Sequence, residues 1–76
     1  MKTQGLPMTY DDELGRWVVE GRDAWYSLRC GEMLELHTGQ GKLMGRLELG
    51  YSWYVIIDGV PLGLGEGRRY IVSIDV

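Results

Sequence analysis

The sequence has little of the residue types that build disulfide, metal-binding or membrane-spanning proteins. Its 76 residues contain one Cys, one His, two Pro and no Phe. One Cys excludes an internal disulfide, and one Cys with one His is too few for a zinc finger. No apolar run approaches the ~18 residues of a spanning helix. We therefore expect no membrane segment, no signal peptide and a cytoplasmic location.

Positive charge is also scarce. Eight Lys and Arg stand against 11 Asp and Glu, which gives a net charge of −3. Proteins that hold a phosphate backbone usually gather a basic excess on one face. Here the basic residues are scattered, and only Arg68 and Arg69 are adjacent. This balance disfavours non-specific nucleic-acid binding, and it is also far below the charge density that would imitate a DNA duplex.

Glycine and the amphipathic aromatic residues are abundant instead. The chain holds 12 Gly, five Tyr and three Trp, and glycine alone is about twice its usual ~7% share. An apolar fraction of 45% favours a folded domain over disorder. A chain of this length forms one domain with a thin core. Little room remains for a catalytic cleft, so we predict a protein that is not an enzyme and needs no cofactor.

Alternating segments separated by glycine turns indicate short β-strands. They fall at 6–10, 16–20, 33–38, 42–49, 51–57 and 70–76, with a short strand or irregular loop at 24–28. Residues 51–57 are almost continuously apolar rather than alternating, which predicts a central strand covered on both faces. Residues 60–67 contain Pro61 and three glycines and are predicted as a loop, and residues 1–5 as a flexible N-terminus. The clearest hairpin joins 33–38 to 42–49 through Gly39-Gln40-Gly41. No window has helical periodicity.

So many short strands in one small domain predict an all-β fold. About five to seven antiparallel strands would form one strongly twisted sheet that curls on itself, because closure removes exposed edges. We predict a single SH3-like or OB-like partial barrel over residues 6–76, without a substantial helix. Gly45, inside the strand at 42–49, suits a sharp bend at a corner of such a barrel.

The order of several short motifs resembles a known family. Gly15-Arg16-Trp17 is followed by Leu28-Arg29-Cys30-Gly31-Glu32 with a Leu-Glu-Leu strand, then Gly45-Arg46-Leu47-Glu48, Trp53-Tyr54, Leu62-Gly63-Leu64 and a terminal Arg-x-x-hydrophobic strand. This order resembles the short bacterial proteins of domain-of-unknown-function family 5348, often carried on mobile elements. Two departures are the long segment Arg22 to Ser27 and the insertion of Gly65-Glu66-Gly67 before the arginines. The resemblance implies a compact β fold and a bacterial or phage setting, and it transfers no activity.

The candidate catalytic and metal-binding residues have simpler interpretations. Cys30 and His37 are seven apart, which places them on opposite faces of a regular strand, and Cys30 is expected to be a small buried hydrophobe at a bend. Glu35 and Glu48 lie outward near Arg46, which favours cross-strand charge pairing over acid–base chemistry. The glycines at 63–67 lack the following helix and the Lys-Ser/Thr of a phosphate loop. We predict no metal site and no catalytic residues.

The aromatic residues give the best functional lead, since eight are too many for one thin core. Trp17, Trp53 and Tyr70 are predicted to be structural. Tyr, Trp, Met and Arg are enriched at protein interfaces. The candidate partner-binding residues are therefore Trp25, Tyr26, Met33, Met44, Arg46, Tyr51, Tyr54, Arg68 and Arg69. An alternative stays open, in which these side chains cover the far side of the core or pack on the terminus.

The leading functional hypothesis is a non-enzymatic module that docks on a larger protein through its outer sheet face. One concrete form is a phage- or mobile-element-encoded inhibitor of a host nucleic-acid enzyme, of the type that blocks a CRISPR nuclease. The alternative is a small barrel that binds single-stranded nucleic acid through Trp25, Tyr26, Tyr54, Arg46, Arg68 and Arg69. The oligomeric state is expected to be a monomer or a homodimer paired through an edge strand.

Overall fold

Eight antiparallel strands form one sheet in the computed structural model, which describes residues 1–76. The structure contains no helix, and hence none long and apolar enough to cross a membrane. The strands are β1 (Leu6–Asp11), β2 (Arg16–Glu20), β3 (Trp25–Ser27), β4 (Met33–Thr38), β5 (Gly41–Leu49), β6 (Trp53–Ile57), β7 (Val60–Gly63) and β8 (Tyr70–Ser73). The predicted all-β, antiparallel class is confirmed, with one more strand than the upper end of the expected range.

The sheet has the order β3-β2-β1-β8-β4-β5-β6-β7. The last strand, β8, lies between β1 and β4 and so joins the N-terminal hairpin to the central one. Strands β3 and β7 each have a single neighbour, so the sheet is not closed. This open arrangement agrees with the prediction of a partial barrel, and it leaves two free edges.

Contacts between distant strands show that the sheet curls around one core. Tyr10 of β1 and Trp53 of β6 have ring centroids 6.3 Å apart, although three strands separate β1 from β6. In a flat sheet the same strands would lie about 19 Å apart, since neighbours are spaced by ~4.8 Å. Twelve buried residues from both halves of the sheet form a single cluster. Curling therefore provides the second wall of the core that a one-layer sheet lacks.

Aromatic residues fill the centre of this core. Trp17 is fully buried, and its ring meets Tyr10 at 5.5 Å and Tyr70 at 5.7 Å, both edge-on. Such pairs contribute about 0.5–1.5 kcal/mol each beyond the burial of their surface. Trp53 is buried, and Tyr70 is half-buried against the same cluster. The structural role predicted for Trp17, Trp53 and Tyr70 is confirmed.

Gly45 allows β5 and β6 to pack closely against each other. A Cβ atom at this position would lie 2.3 Å from Val55 Cγ1, 2.9 Å from Ile57 Cγ1 and 2.9 Å from the Ile56 carbonyl oxygen. The carbonyl belongs to the backbone and cannot rotate away. A side chain is thus excluded here, so the close approach of β5 and β6 requires a glycine at this position.

Strand β7 corrects the prediction of a loop over 60–67. Asp58 (φ 51°) and Gly59 (φ 78°) form a tight turn of the kind that joins hairpin strands. Val60 pairs with Ile57 and Leu62 with Val55, and the Leu64 N–H donates to the Trp53 carbonyl at 2.9 Å. Because pairing alternates along the strand, the nitrogen of Pro61 faces away from β6, where its missing N–H is tolerated.

Both chain ends pair with each other. Lys2 forms an isolated bridge with Asp75, the Thr3 N–H donates to the Ile74 carbonyl at 2.8 Å, and the Val76 N–H donates to the Met1 carbonyl at 2.8 Å. The sequence predicts a flexible segment over 1–5, whereas the structure gives its first three residues hydrogen-bonded partners. The regular part of β8 ends at Ser73 rather than continuing to Val76.

Candidate protein-binding surface

The strand register brings a row of side chains together on the outside of the sheet. Met33 pairs with Arg46, Arg46 with Ile56, and Ile56 with Pro61, so the row crosses β4, β5, β6 and β7. Residues paired in this way lie side by side on the same face. Met44 and Tyr54 lie on the same face, on β5 and β6. We call the six residues Met33, Met44, Arg46, Tyr54, Ile56 and Pro61 the outer patch.

The position of the outer patch follows from the burial of the alternate residues on the same strands. Leu34, Leu36, Leu47 and Val55 are buried in the core, and side chains alternate between faces along a strand. A shift of one residue in the strand pairing would bury the outer patch and expose these four core residues, so the register is strongly determined. Met33 and Met44 remain 54% and 45% exposed, and Pro61 is also exposed. No other element of the chain covers them.

Two ion pairs lie on this face. Arg46 Nε donates to Glu48 Oε2 at 2.5 Å, and Lys2 Nζ lies 3.4 Å from Glu35 Oε1. Arg46 and Glu48 are two apart on one strand, so the pair runs along β5 rather than across strands as predicted. Ion pairs this exposed contribute at most about 1 kcal/mol. The Arg46–Glu48 pair holds the Arg46 side chain in place and neutralises its charge.

The structure separates the predicted partner-binding residues into distinct places. Met33, Met44, Arg46 and Tyr54 meet in the outer patch. Trp25 is 67% exposed but lies on β3, at the opposite end of the sheet order. Tyr51 is exposed in the β5–β6 turn, and Arg68 and Arg69 are exposed in the β7–β8 loop.

Tyr26, another predicted binding residue, is half-buried. It pairs with Val19, a core residue of β2, so it lies on the inner face and packs against the core. Trp25 and Tyr26 are neighbours in a short strand, and alternation allows only one of them to face outward. The sequence alone did not indicate which one.

Two members of the outer patch, Ile56 and Pro61, were missed in the sequence. Ile56 belongs to a continuous apolar run, which was expected to form a central strand covered on both faces. In the structure β6 is next to the edge, and its outer face is only half-buried. Pro61 lay in the segment expected to be a loop. The Asp58-Gly59 turn was the available signal, since it implies a strand on both sides.

A serine and a histidine form the closest approach to catalytic geometry. His37 Nε2 and Ser73 Oγ are hydrogen-bonded at 2.7 Å. Ser73 is only 2% exposed, because the N-terminal segment lies beside it, with Gly5 against the His37 ring. A sealed hydroxyl cannot meet a substrate, so this bond stabilises the fold. Because His37 and Ser73 are 36 residues apart, no local pattern in the sequence indicates this pair.

Cys30 lies in a turn before β4 and is exposed, which corrects the prediction of a buried thiol. The turn itself was expected, but its short loop leaves the side chain outside the core. No group of three His, Cys, Asp or Glu side chains is placed to hold a metal ion.

An open groove of about 700 Å³ lies between the N-terminal segment and the β2–β3 turn, with Tyr26 in its wall.

Comparison with known proteins agrees with the fold. The family model for the domain of unknown function DUF5348 matches residues 7–74. A crystal structure of a protein from Ruminococcus gnavus is similar, with a TM-score of 0.73 and 25% sequence identity, and the match covers 93% of this chain and 100% of that chain. No curated protein matches the sequence. The similarity extends over almost the whole chain, so the overall fold is shared.

Proposed function

The chain belongs to the DUF5348 family, and we propose that it is a non-enzymatic module that docks on a partner protein through the outer patch. The observation that carries this proposal is the contiguous row of Met33, Arg46, Ile56 and Pro61 on the outside of the sheet. These side chains are not needed to cover the core, which is filled from the other face. Exposed apolar side chains grouped in this way favour an interaction site.

The composition of the patch suits a protein partner. Methionine side chains adapt to irregular surfaces, and Met, Tyr and Arg are enriched where proteins meet. Four neighbouring strands give a surface about 15–20 Å wide, from the ~4.8 Å spacing of strands. Arg46, at its centre, is paired with Glu48 and offers its apolar stem and planar head rather than a free positive charge.

A nucleic-acid enzyme is the partner class we propose, with this protein as its inhibitor encoded by a phage or other mobile element. Support for this narrower form comes only from analogy with small inhibitors, including those of CRISPR nucleases, in size and in the mobile-element setting that the family resemblance implies. The single-stranded nucleic-acid alternative has weaker support. Its residues are dispersed over β3, β5, β6 and the β7–β8 loop, and Tyr26 packs against the core.

A matched pair of double variants tests the docking proposal. M33E/M44E places two acidic groups in the outer patch, whereas L14E/V76E makes the same change at two apolar side chains of similar exposure outside it. Tagged forms of both, and the unaltered protein, are used to capture partners from a lysate of the host bacterium. We expect L14E/V76E to retain a partner that M33E/M44E loses, with unchanged circular dichroism. A partner held equally by both variants, or no partner at all, would contradict the proposal.

The identity of the captured protein and a salt titration separate the narrower forms. A nucleic-acid enzyme whose activity falls on addition of the unaltered protein supports the inhibitor form. Binding of a labelled single-stranded oligonucleotide that weakens by about 20-fold between 50 and 200 mM salt would favour the alternative, since about that loss is expected when three arginines release counterions from a single strand. We expect no binding of the oligonucleotide at either salt concentration.

A further inference from the structure

The four methionines of the chain differ in how far solvent reaches their sulfur atoms. Met8 is fully buried in the core, whereas Met33 and Met44 are 54% and 45% exposed in the outer patch, and Met1 is exposed at the N-terminus. An oxidant must reach a thioether sulfur to react with it. The outer patch therefore holds two methionines that are open to oxidation, and Met8 is a protected reference within the same chain.

The strand register brings the two exposed methionines of the patch close together. Met33 lies opposite Arg46 and Met44 lies opposite Glu35, so the methionines are diagonal neighbours on β4 and β5. Such neighbours are about 7–8 Å apart. A chemical change at both sulfur atoms would therefore alter one continuous part of the outer patch.

Hydrogen peroxide converts a methionine thioether to a sulfoxide. The sulfur lone pair attacks one peroxide oxygen, the O–O bond breaks, and the departing hydroxide takes up the remaining proton and leaves as water. Sulfur is oxidised by two electrons, and the peroxide is reduced by two. The product is polar where the side chain was apolar, and methionine sulfoxide reductases reverse the change. Oxidation can thus act as a reversible switch.

We propose that oxidation of Met33 and Met44 to the sulfoxide releases the partner protein from the outer patch. This regulation rests on the docking function proposed above. A sulfoxide oxygen is a hydrogen-bond acceptor, and burial of a polar group against an apolar surface without a donor is unfavourable. The expected loss of affinity is about tenfold for each sulfoxide that the partner covers.

Arg46 makes the patch sensitive to the oxidation of Met33 in particular. The two residues face each other across β4 and β5, and the Cβ atoms of such pairs are about 4.5–5.5 Å apart. Arg46 Nε donates to Glu48, and the guanidinium carries further N–H donors. A sulfoxide oxygen on Met33 would accept a hydrogen bond from one of them. Oxidation of Met33 therefore also changes the orientation of the side chain at the centre of the patch.

Peptide mapping by mass spectrometry during a peroxide titration tests the two sites without a partner. We expect Met33 and Met44 each to gain one oxygen atom while Met8 stays unmodified, with unchanged circular dichroism. The nuclear magnetic resonance signal of the Arg46 Nε–H group should shift on oxidation of the unaltered protein but not of M33L. Met33 and Met44 that remain reduced, or that oxidise no faster than Met8, would overturn the inference.

Capture of the partner by peroxide-treated protein tests the switch. M33L/M44L is the matched control, because leucine keeps the patch apolar and cannot be oxidised, while Met1, Met8 and Cys30 remain. Peroxide is removed first, and the lysate is desalted so that its reductases lack a reductant. We expect treatment to lower capture by the unaltered protein about tenfold or more, to leave M33L/M44L unchanged, and to be reversed by methionine sulfoxide reductase with a thiol.

The result with M33E/M44E separates a failure of the switch from a failure of docking. If M33E/M44E loses the partner but the oxidised protein retains it, the switch is wrong and the docking function stands. If M33E/M44E retains the partner, the docking function itself is wrong. Equal loss of capture by oxidised M33L/M44L and oxidised unaltered protein would assign the effect to another residue and overturn the inference.

Discussion

Replacement of Gly45 by alanine measures how closely β5 and β6 approach each other. The new methyl group would lie 2.3 Å from Val55 Cγ1 and 2.9 Å from both Ile57 Cγ1 and the Ile56 carbonyl oxygen. Overpacking of a core costs about 1–3 kcal/mol, and the rigid carbonyl places this site in the upper part of that range. Alanine regains about 0.4–1 kcal/mol by restricting the unfolded chain. We expect a net loss of about 2 kcal/mol in the free energy of unfolding.

For a domain of this size, a loss of about 2 kcal/mol lowers the Tm by about 8–16 °C. Thermal unfolding followed by circular dichroism measures it. G63A is the matched control, because Gly63 is also a strand glycine with no positive φ, but a Cβ atom there would have no other atom within 4 Å. The Tm of G63A should stay within about 4 °C of that of the unaltered protein. V55A should reduce the cost of G45A, since it removes the nearest clashing atom. Equal Tm values for G45A and G63A would refute the close approach of β5 and β6.

Three further changes test the bonds that hold strands and termini. H37A leaves the buried Ser73 hydroxyl without its partner and should cost about 1–3 kcal/mol in urea unfolding; a cost no larger than that of the exposed control K42A would show that the bond is not stabilising. D11A removes a carboxylate that accepts hydrogen bonds from the Glu13 and Leu14 N–H groups at 2.9 and 3.0 Å, and it should lower the free energy of unfolding by about 1 kcal/mol. The control D12A should leave the free energy of unfolding unchanged. Equal effects of the two variants would show that the turn does not depend on Asp11. The hydrogen bond and the charge of the N-terminal amino group lower the pKa of Asp75 below 3.8. The ionised Asp75 carboxylate therefore contributes its full stabilisation above its unfolded pKa, and this contribution is lost as the pH falls through the lower folded pKa. D75N should flatten the dependence of Tm on pH below about pH 4. An unchanged dependence would contradict this link between the termini.

Local patterns in the sequence were sufficient for most strands. The bounds 16–20 and 33–38 agree with β2 and β4, because glycine turns and a period of two are properties of adjacent residues. Strand β7 was missed because Val60 to Gly63 contains Pro61 and no alternation. Its identity as a strand depends on pairing with β6, and on the outward direction of the Pro61 nitrogen within that pair.

The candidate site was only partly predictable for the same reason. Met33, Met44 and Arg46 could be assigned to one face, since they belong to a hairpin whose register follows from its turn. Trp25 and Tyr26 could not be assigned, because the register of β3 against β2 decides which of them faces the core. The burial of Ser73 was equally hidden, as it depends on contacts with His37 and the N-terminal segment.

The sequence by itself determined an all-β domain of short strands, a core centred on Trp17 and Trp53, and an outward Met and Arg surface on the central hairpin. Alternation and turn residues involve only a few neighbouring positions, so these features can be predicted from the sequence alone. Only the tertiary structure decided that the sheet curls without closing, that β7 completes the outer patch, and that β3 and β7 remain as free edges. Those features depend on which distant strands become neighbours, and the gain from burying one shared core decides that arrangement.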